Sequence, residues 1–349
     1  MSTEQAERIY CGTEAGGIFQ FTFHPGTREL SRPVLVEGTD DSGYLAAHPS
    51  RPVIYSVNQK QATLTAYAMA ADGSLTAINK VETRGKTPCH VAVDERGRFV
   101  LAANYNGGVS LFTIRPDGGV SEAAFVYQPV GSGPDPKRQK KPHPHGVAFA
   151  PGLDLAYAND LGCDRIWALK IAGSPPSLTL DPGLTRAVHP GSGPRHLAIH
   201  RSGRFAAAVT EMGSTVVAFR REPATGALTE TNTVSTLLPG CTARSWAAEV
   251  GYHPTLDLCY ASNRGDDSLA VFSLDPATGK LAWVRRIESG GERPWHFAFD
   301  REGSALFVAN TGSGRVSAYC LGGDGLPVDS LGTLEIGKPM CLLFAPARG

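Results

Sequence analysis

The segment Lys141-Pro142-His143-Pro144-His145-Gly146 runs into an apolar stretch, Val147-Ala148-Phe149, and after a short break into Leu155-Ala156-Tyr157-Ala158-Asn159-Asp160. Taken alone, Pro-His-Pro-His reads as a metal-ligand cluster or a proline-stiffened loop. Its spacing points elsewhere. His145 lies 14 positions before Asn159, and the same offset separates Tyr44 from Asn58, His90 from Asn104, His196 from Thr210, Glu249 from Asn263 and His296 from Asn310. The segment is one copy of an internal repeat, and the repeat decides the fold.

The copy that opens at Pro88-Cys89-His90 shows the grammar. An apolar strand, Val91-Ala92-Val93, is followed by a polar turn at 94–98, a strand at 99–104, a Gly turn at 106–108 and a third strand at 109–114. After the turn at 115–119, a fourth, less regular strand is expected around 124–130. Short Val-, Ala-, Phe- and Tyr-rich runs between Gly, Pro and Asp turns signal strands and hairpins. With the Asn position as marker, copies lie at 58, 104, 159, 210, 263 and 310, at intervals of 46, 55, 51, 53 and 47. Four-stranded units of this length are propeller blades; solenoid units are usually shorter.

Closure supplies the blade count. Pro339-Met340-Cys341-Leu342-Leu343-Phe344 repeats the opening strand, but no second strand follows it. The chain's start supplies one, Ile9-Tyr10-Cys11-Gly12, then a turn and Ile18-Phe19-Gln20-Phe21. From Asn310 to the end and on to Gly12 is 39 + 12 = 51 residues, another repeat length. The expectation is an all-β, seven-bladed β-propeller of four-stranded blades. Residues 1–349 form a single domain, and the C-terminal strand pairs into the N-terminal blade so that no edge stays open.

Composition removes several function classes. Lys+Arg and Asp+Glu both number 33, so no overall charge draws the chain to nucleic acid or an anionic membrane. The seven Cys are odd in number, scattered and free of any Cys-x-x-Cys pair, which argues against a disulfide framework or structural zinc and for reduced thiols. The first eight residues carry acidic groups and no apolar run, unlike a signal peptide or anchor. The expected protein is soluble and cytoplasmic, a monomer or weak homo-oligomer, with a small anionic substrate as its only partner and no cofactor.

In a blade the first strand lines the central channel and the second returns antiparallel beside it, so the start of one and the end of the other share a face. The first-strand residues Tyr44, His90, His145, His196, Glu249, His296 and Cys341, and the residues after the markers, Thr13, Gln59, Tyr105, Asp160, Glu211, Arg264 and Thr311, are thus expected at one mouth. A strand-start His can serve simply as a fold signature. The departures carry more: blade five has Glu211 after Thr210, blade six has Glu249 in place of His, and Arg195 and Arg264 project nearby. Arg forks bind carboxylate or phosphate, so Arg195, Arg264 and Arg293 suggest an anionic substrate. A neighbouring carboxylate or imidazole can move a proton, with the base left open among Glu211, His145 and Glu249. No Gly-x-Ser-x-Gly elbow is present. His143 and His145 are both potential metal ligands, but metal catalysis is placed below metal-free acid–base work. The basic run Lys137-Arg138-Gln139-Lys140-Lys141 precedes them and can face substrate.

At Gly193-Pro194-Arg195-His196, Glu211, Ala248-Glu249 and Ser262-Asn263-Arg264-Gly265, with Asp267-Ser268-Leu269-Ala270-Val271-Phe272 behind, the chain resembles the seven-bladed β-propeller lactonase family over essentially its whole length. That family includes bacterial 6-phosphogluconolactonases and fungal 3-carboxy-cis,cis-muconate cyclases. The resemblance implies catalytic roles for His145, Arg195, Glu211 and Arg264. It is joined by a substrate-binding set of His90, Asn104, Arg138, His143, His196, Glu249, Arg293 and His296. It implies a metal-independent lactonase, with 6-phosphogluconolactone the first candidate, and as alternatives a carboxymuconate-type cycloisomerase or a non-catalytic interaction propeller. Met212-Gly213 after Glu211, and the bulky Trp246 and Trp295, depart from the family pattern and bear on substrate identity.

Overall fold

The computed structural model describes residues 6–38, 41–241 and 244–346, so part of the N-terminal segment read above lies outside it. Its strands form seven antiparallel sheets, and the described residues contain no α-helix, hence none long and apolar enough to cross a membrane. From the channel outward, blade two comprises Ser42–Ala47, Val53–Asn58, Thr63–Met69 and Leu75–Glu82. Blade three comprises Pro88–Val93, Phe99–Asn104, Gly108–Thr113 and a short Phe125–Tyr127. Blade four comprises Pro144–Phe149, Leu155–Asp160, Arg165–Ala172 and Ser177–Leu180. Blades five, six and seven open at Pro194–Ile199, Trp246–Tyr252 and Pro294–Phe299, with second strands Phe205–Thr210, Leu258–Arg264 and Ala305–Asn310. In blade one the innermost strand is Pro339–Phe344, paired to Glu7–Thr13, so the chain's last strand closes the ring.

The second strands are buried along most of their length, and along all of it in Val53–Asn58 and Phe205–Thr210, because each blade is covered on both faces by its neighbours. Near-continuous apolar runs, not alternation, are the result. The outer strand Leu228–Ser235, by contrast, is exposed or half-buried beyond Leu228. The core is correspondingly divided into seven wedges, one between each pair of adjacent blades. Each fully buried Val, Leu or Phe in them stabilises the fold by about 1.5–3 kcal/mol. Tyrosines on second strands latch four of the wedges: Tyr10 Oη donates to the Gly73 carbonyl at 2.9 Å, Tyr55 to Gly118 at 2.9 Å, Tyr157 to Gly226 at 2.5 Å, and Tyr260 to Gly325.

The register corrects the repeat at blade four. In blade five Thr210 pairs with Pro194 and Val209 with His196, leaving Arg195 as a bulged residue; in blade seven Asn310 pairs with Pro294 and Ala309 with His296, leaving Trp295 bulged. In blade four Asp160 pairs with Pro144 and Asn159 with Gly146, so His145 is the bulge. Matching His to His and Asn to Asn slips blade four by one residue. The true counterpart of His196 is Gly146, and His145 corresponds to Arg195 and Trp295. Blade one slips likewise, since Thr13, opposite Pro339, holds the marker position. Thr13 and Asp160 therefore do not belong with Glu211 and Arg264; Glu14 and Leu161 do. A β-bulge adds a residue and re-aims the side chain, so it sets which residue of each first strand meets the mouth.

Candidate active site

The bulge splits the channel groups into two tiers. At the mouth, Arg138, His145, Glu211, Trp246, Arg264, Gly265, Arg293 and Trp295 line a cavity of about 550 Å³. Glu211 is its centre. Arg138 Nη2 donates to its Oε1 at 2.6 Å, Arg264 Nη2 donates to its Oε2 at 2.7 Å, and Arg195 Nε stands 3.4 Å from the same Oε2. Burial opposes ionisation of Glu211, but Arg264, His145, Arg195 and the Arg138 hydrogen bond outweigh it and hold the carboxyl far below its usual range. Burial lowers the Arg264 guanidinium to about 10, with Glu211 opposing the shift. Arg138, half-buried, is raised above its usual range by its bonds to Glu211 and Tyr105. Trp295 spaces the cations: the Arg264, Arg195 and Arg293 guanidinium carbons lie 4.4, 5.5 and 5.9 Å from its ring centroid.

His145 completes the mouth. Its Nδ1 is buried without a hydrogen-bond partner. Burial, then the nearby Arg195 and His196, push its pKa well below the ordinary imidazole value, so the ring is neutral at pH 7. Arg195 sits behind the cavity wall, 1% exposed, with its Nη1 donating to the Ala248 carbonyl at 2.5 Å. Of the four residues expected to be catalytic, three line the cavity and Arg195 reaches it through Glu211.

Beneath the mouth, the true ring positions plug the channel. The His196 Nδ1 lies 2.9 Å from Glu249 Oε2, His296 Nε2 is 3.6 Å from the same oxygen, and the Tyr44 hydroxyl donates to it at 3.5 Å. The Tyr44 ring lies tilted against His90 at 4.1 Å, and His90 meets His196 edge-on at 4.6 Å. Burial lowers the pKa values of His90, His196 and His296, so these three rings are neutral at pH 7. His90, His196, Glu249 and His296, expected to bind substrate, do not line the cavity, because the bulge gives the mouth to the preceding residue.

Two further expectations are corrected. Asn104 binds no open space: its Nδ2 donates to Ser110 Oγ at 2.9 Å inside the blade, as Asn310 does to Ser317 Oγ at 3.1 Å. It is a hairpin clasp. His143 turns from the cavity, its Nδ1 2.8 Å from the Tyr105 carbonyl and its ring stacked 4.3 Å from that of Tyr105. Tyr105 in turn accepts a 3.3 Å bond from Arg138, so His143 backs the wall. Arg138 and Arg293 line the cavity. The basic run is an ordered loop: Gln139 is fully buried, with its Nε2 donating to the Leu161 carbonyl and Asp164 Oδ1, both at 2.8 Å. Sequence reading missed Gln139 and Asp164, and left Tyr105, Trp246 and Trp295 without roles.

Comparisons with known proteins agree with this architecture. Residues 8–344 match the family described as Lactonase, 7-bladed beta-propeller. A 6-phosphogluconolactonase of Bacillus subtilis (strain 168) is 32% identical over 309 residues, spanning 87% of this chain and 86% of its own. A 6-phosphogluconolactonase of Formosa agariphila is 28% identical, with coverage of 87% and 88%. The solved structure of the periplasmic gluconolactonase of Pseudomonas aeruginosa superposes with a TM-score of 0.93 at 27% identity, covering 99% of this chain and 100% of that one.

Proposed function

The chain belongs to the seven-bladed β-propeller lactonase family, and from that premise we propose that it hydrolyses the intramolecular ester of an anionic sugar-acid lactone, 6-phosphogluconolactone. The observation that carries this reading is a neutral imidazole, His145, in a cavity whose carboxylate is already held by guanidinium groups. Three lining cations, Arg138, Arg264 and Arg293, against one carboxylate, Glu211, leave two net positive charges (3 − 1 = 2), which favours an anionic ligand. The named relatives act on gluconolactones, which favours hydrolysis over the cyclase alternative.

His145 serves as the base. Both Glu211 oxygens are taken up by guanidinium groups, whereas the buried His145 Nδ1 has no partner and is the group free to take a proton. His145 removes a proton from a water as the water oxygen bonds to the lactone carbonyl carbon. The carbonyl oxygen becomes an oxyanion beside Arg264, whose charge stabilises it. Collapse restores the C=O bond and breaks the bond to the ring oxygen, which receives the proton from the imidazolium. Arg293 and Arg138 hold the substrate's phosphate, and Glu211 fixes the guanidinium groups around it.

The test is hydrolysis of 6-phosphogluconolactone followed by pH-stat. His145→Ala should lower kcat by about 10²–10⁴, and turnover within a few-fold of wild type would remove His145 as base. All seven cysteines are unpaired, which supports placement in the reducing cytoplasm. Because one relative is periplasmic, subcellular fractionation decides between the compartments.

A further inference from the structure

The turn joining second to third strand ends, in five blades, on a residue in the left-handed region: Ala62 (φ +55°), Asp164 (+51°), Ser214 (+47°), Asp267 (+49°) and Gly314 (+68°). Glycine takes this conformation without strain, and other residues do so at a cost. Ala62 and Gly314 show that the turn itself needs no carboxylate. Asp164 uses its carboxylate outside the turn. Oδ1 accepts from the Gly193 amide and from Gln139 Nε2, both at 2.8 Å, and Oδ2 accepts from the Gly191 amide at 2.7 Å.

Those partners lead to three site residues. Gln139 shapes the loop that carries Arg138, its Oε1 accepting from the Asp135 amide at 3.1 Å while Asp135 Oδ1 accepts from the Arg138 amide at 2.8 Å. Gly193 opens the strand that bulges at Arg195, and its carbonyl accepts from the Glu211 amide at 2.8 Å. One buried carboxylate in blade four therefore touches the supports of Arg138, Arg195 and Glu211. Asp267 makes a lesser version of this link, its Oδ1 accepting from the Arg293 amide at 2.7 Å.

We infer that Asp164 is a positioning residue that sets the Arg138–Glu211–Arg195 geometry from the neighbouring blade. The inference rests on the roles given above to His145, Glu211 and the arginines. Hydrogen bonds from a locked side chain hold reacting groups to sub-ångström tolerance, and a misplacement of about 1 Å can cost 10²-fold in rate.

Asp164→Gly is the decisive variant, because the left-handed turn tolerates glycine while the carboxylate is lost. Expected are a lowered unfolding temperature, since three donors lose their acceptor, with the protein still folded at assay temperature, and a kcat/KM for 6-phosphogluconolactone lower by about 10²-fold. The acid limb of the pH–rate profile should move to higher pH as the cations slacken around Glu211. Asp164→Asn, which keeps Oδ1 for Gln139 and Gly193, should recover most of the loss. Unchanged kcat/KM and an unmoved acid limb in Asp164→Gly, beside a collapsed His145→Ala, would overturn the inference. If His145→Ala also keeps full activity, the site reading falls instead. Should Asp164→Gly not fold, Gln139→Ala decides: a KM raised about 10-fold, equivalent to 1.4 kcal/mol, supports the link, and an unchanged KM refutes it.

Discussion

Glu211 and Glu249 are both buried carboxylates from adjacent blades, yet their surroundings are opposite. Glu211 at the mouth is met by three guanidinium groups. Glu249 below is met by two imidazoles and a phenol, all neutral at pH 7. The first arrangement concentrates charge where a ligand can enter; the second fills a channel with hydrogen-bonded rings. The difference teaches that a repeat position becomes chemical through what faces it, and that a single bulged residue per blade separates the two layers.

Removing each carboxylate's charge breaks the comparison most directly. Glu211→Gln strips the one counter-charge from three cations and should destabilise the fold by about 3–5 kcal/mol, measured by urea unfolding, with lactone turnover lost as well. The plug responds to acid instead. His90, His196 and His296 have folded pKa values below the unfolded value, so the unfolded chain binds more protons and stability falls as pH drops below about 6.5. The loss should be about 1 kcal/mol per imidazole between pH 6.5 and 5.5, seen in unfolding temperature. Glu211 has the depressed carboxylate pattern, so its contribution is complete above about pH 4.5 and declines only below it. Two acid steps, at separate pH, are expected, and a single step near pH 4 would erase the distinction.

Glu249→Gln keeps an acceptor for His196 and should cost about 1 kcal/mol, with kcat within a few-fold of wild type. A collapse of kcat would move Glu249 into the chemistry. The smallest effect is expected from Trp295→Phe, which weakens the stacking of Arg264 by about 0.5–1 kcal/mol and should raise KM for the phosphorylated lactone more than it lowers kcat.

The repeat was legible because turns and apolar strands recur at fixed spacing, and the seven blades and their closing strand follow from that spacing. Glu211 and Arg264 stood out as departures from it. The register of His145 was hidden, since His at 145 and Asn at 159 imitate the pattern one residue out of phase and only hydrogen bonding locates the bulge. Arg138 was visible as charge, but the inward turn of its loop depends on Gln139, an ordinary residue buried by long-range partners. Asp164 did leave a trace: an aspartate, shared with Asp267 of blade six, where three other copies place Ala, Ser or Gly.

The closing strand also fixes an order of events during synthesis. Glu7–Thr13 is synthesised well before its partner Pro339–Phe344. At roughly 5–20 residues per second, the N-terminal strand waits tens of seconds with one edge unpaired. Throughout that time blades two to seven can stack on one another as an open arc. A nascent chain of this protein therefore carries a sticky edge on its Glu7–Thr13 strand, and shielding that edge from other chains is a task for whatever greets it at the exit tunnel.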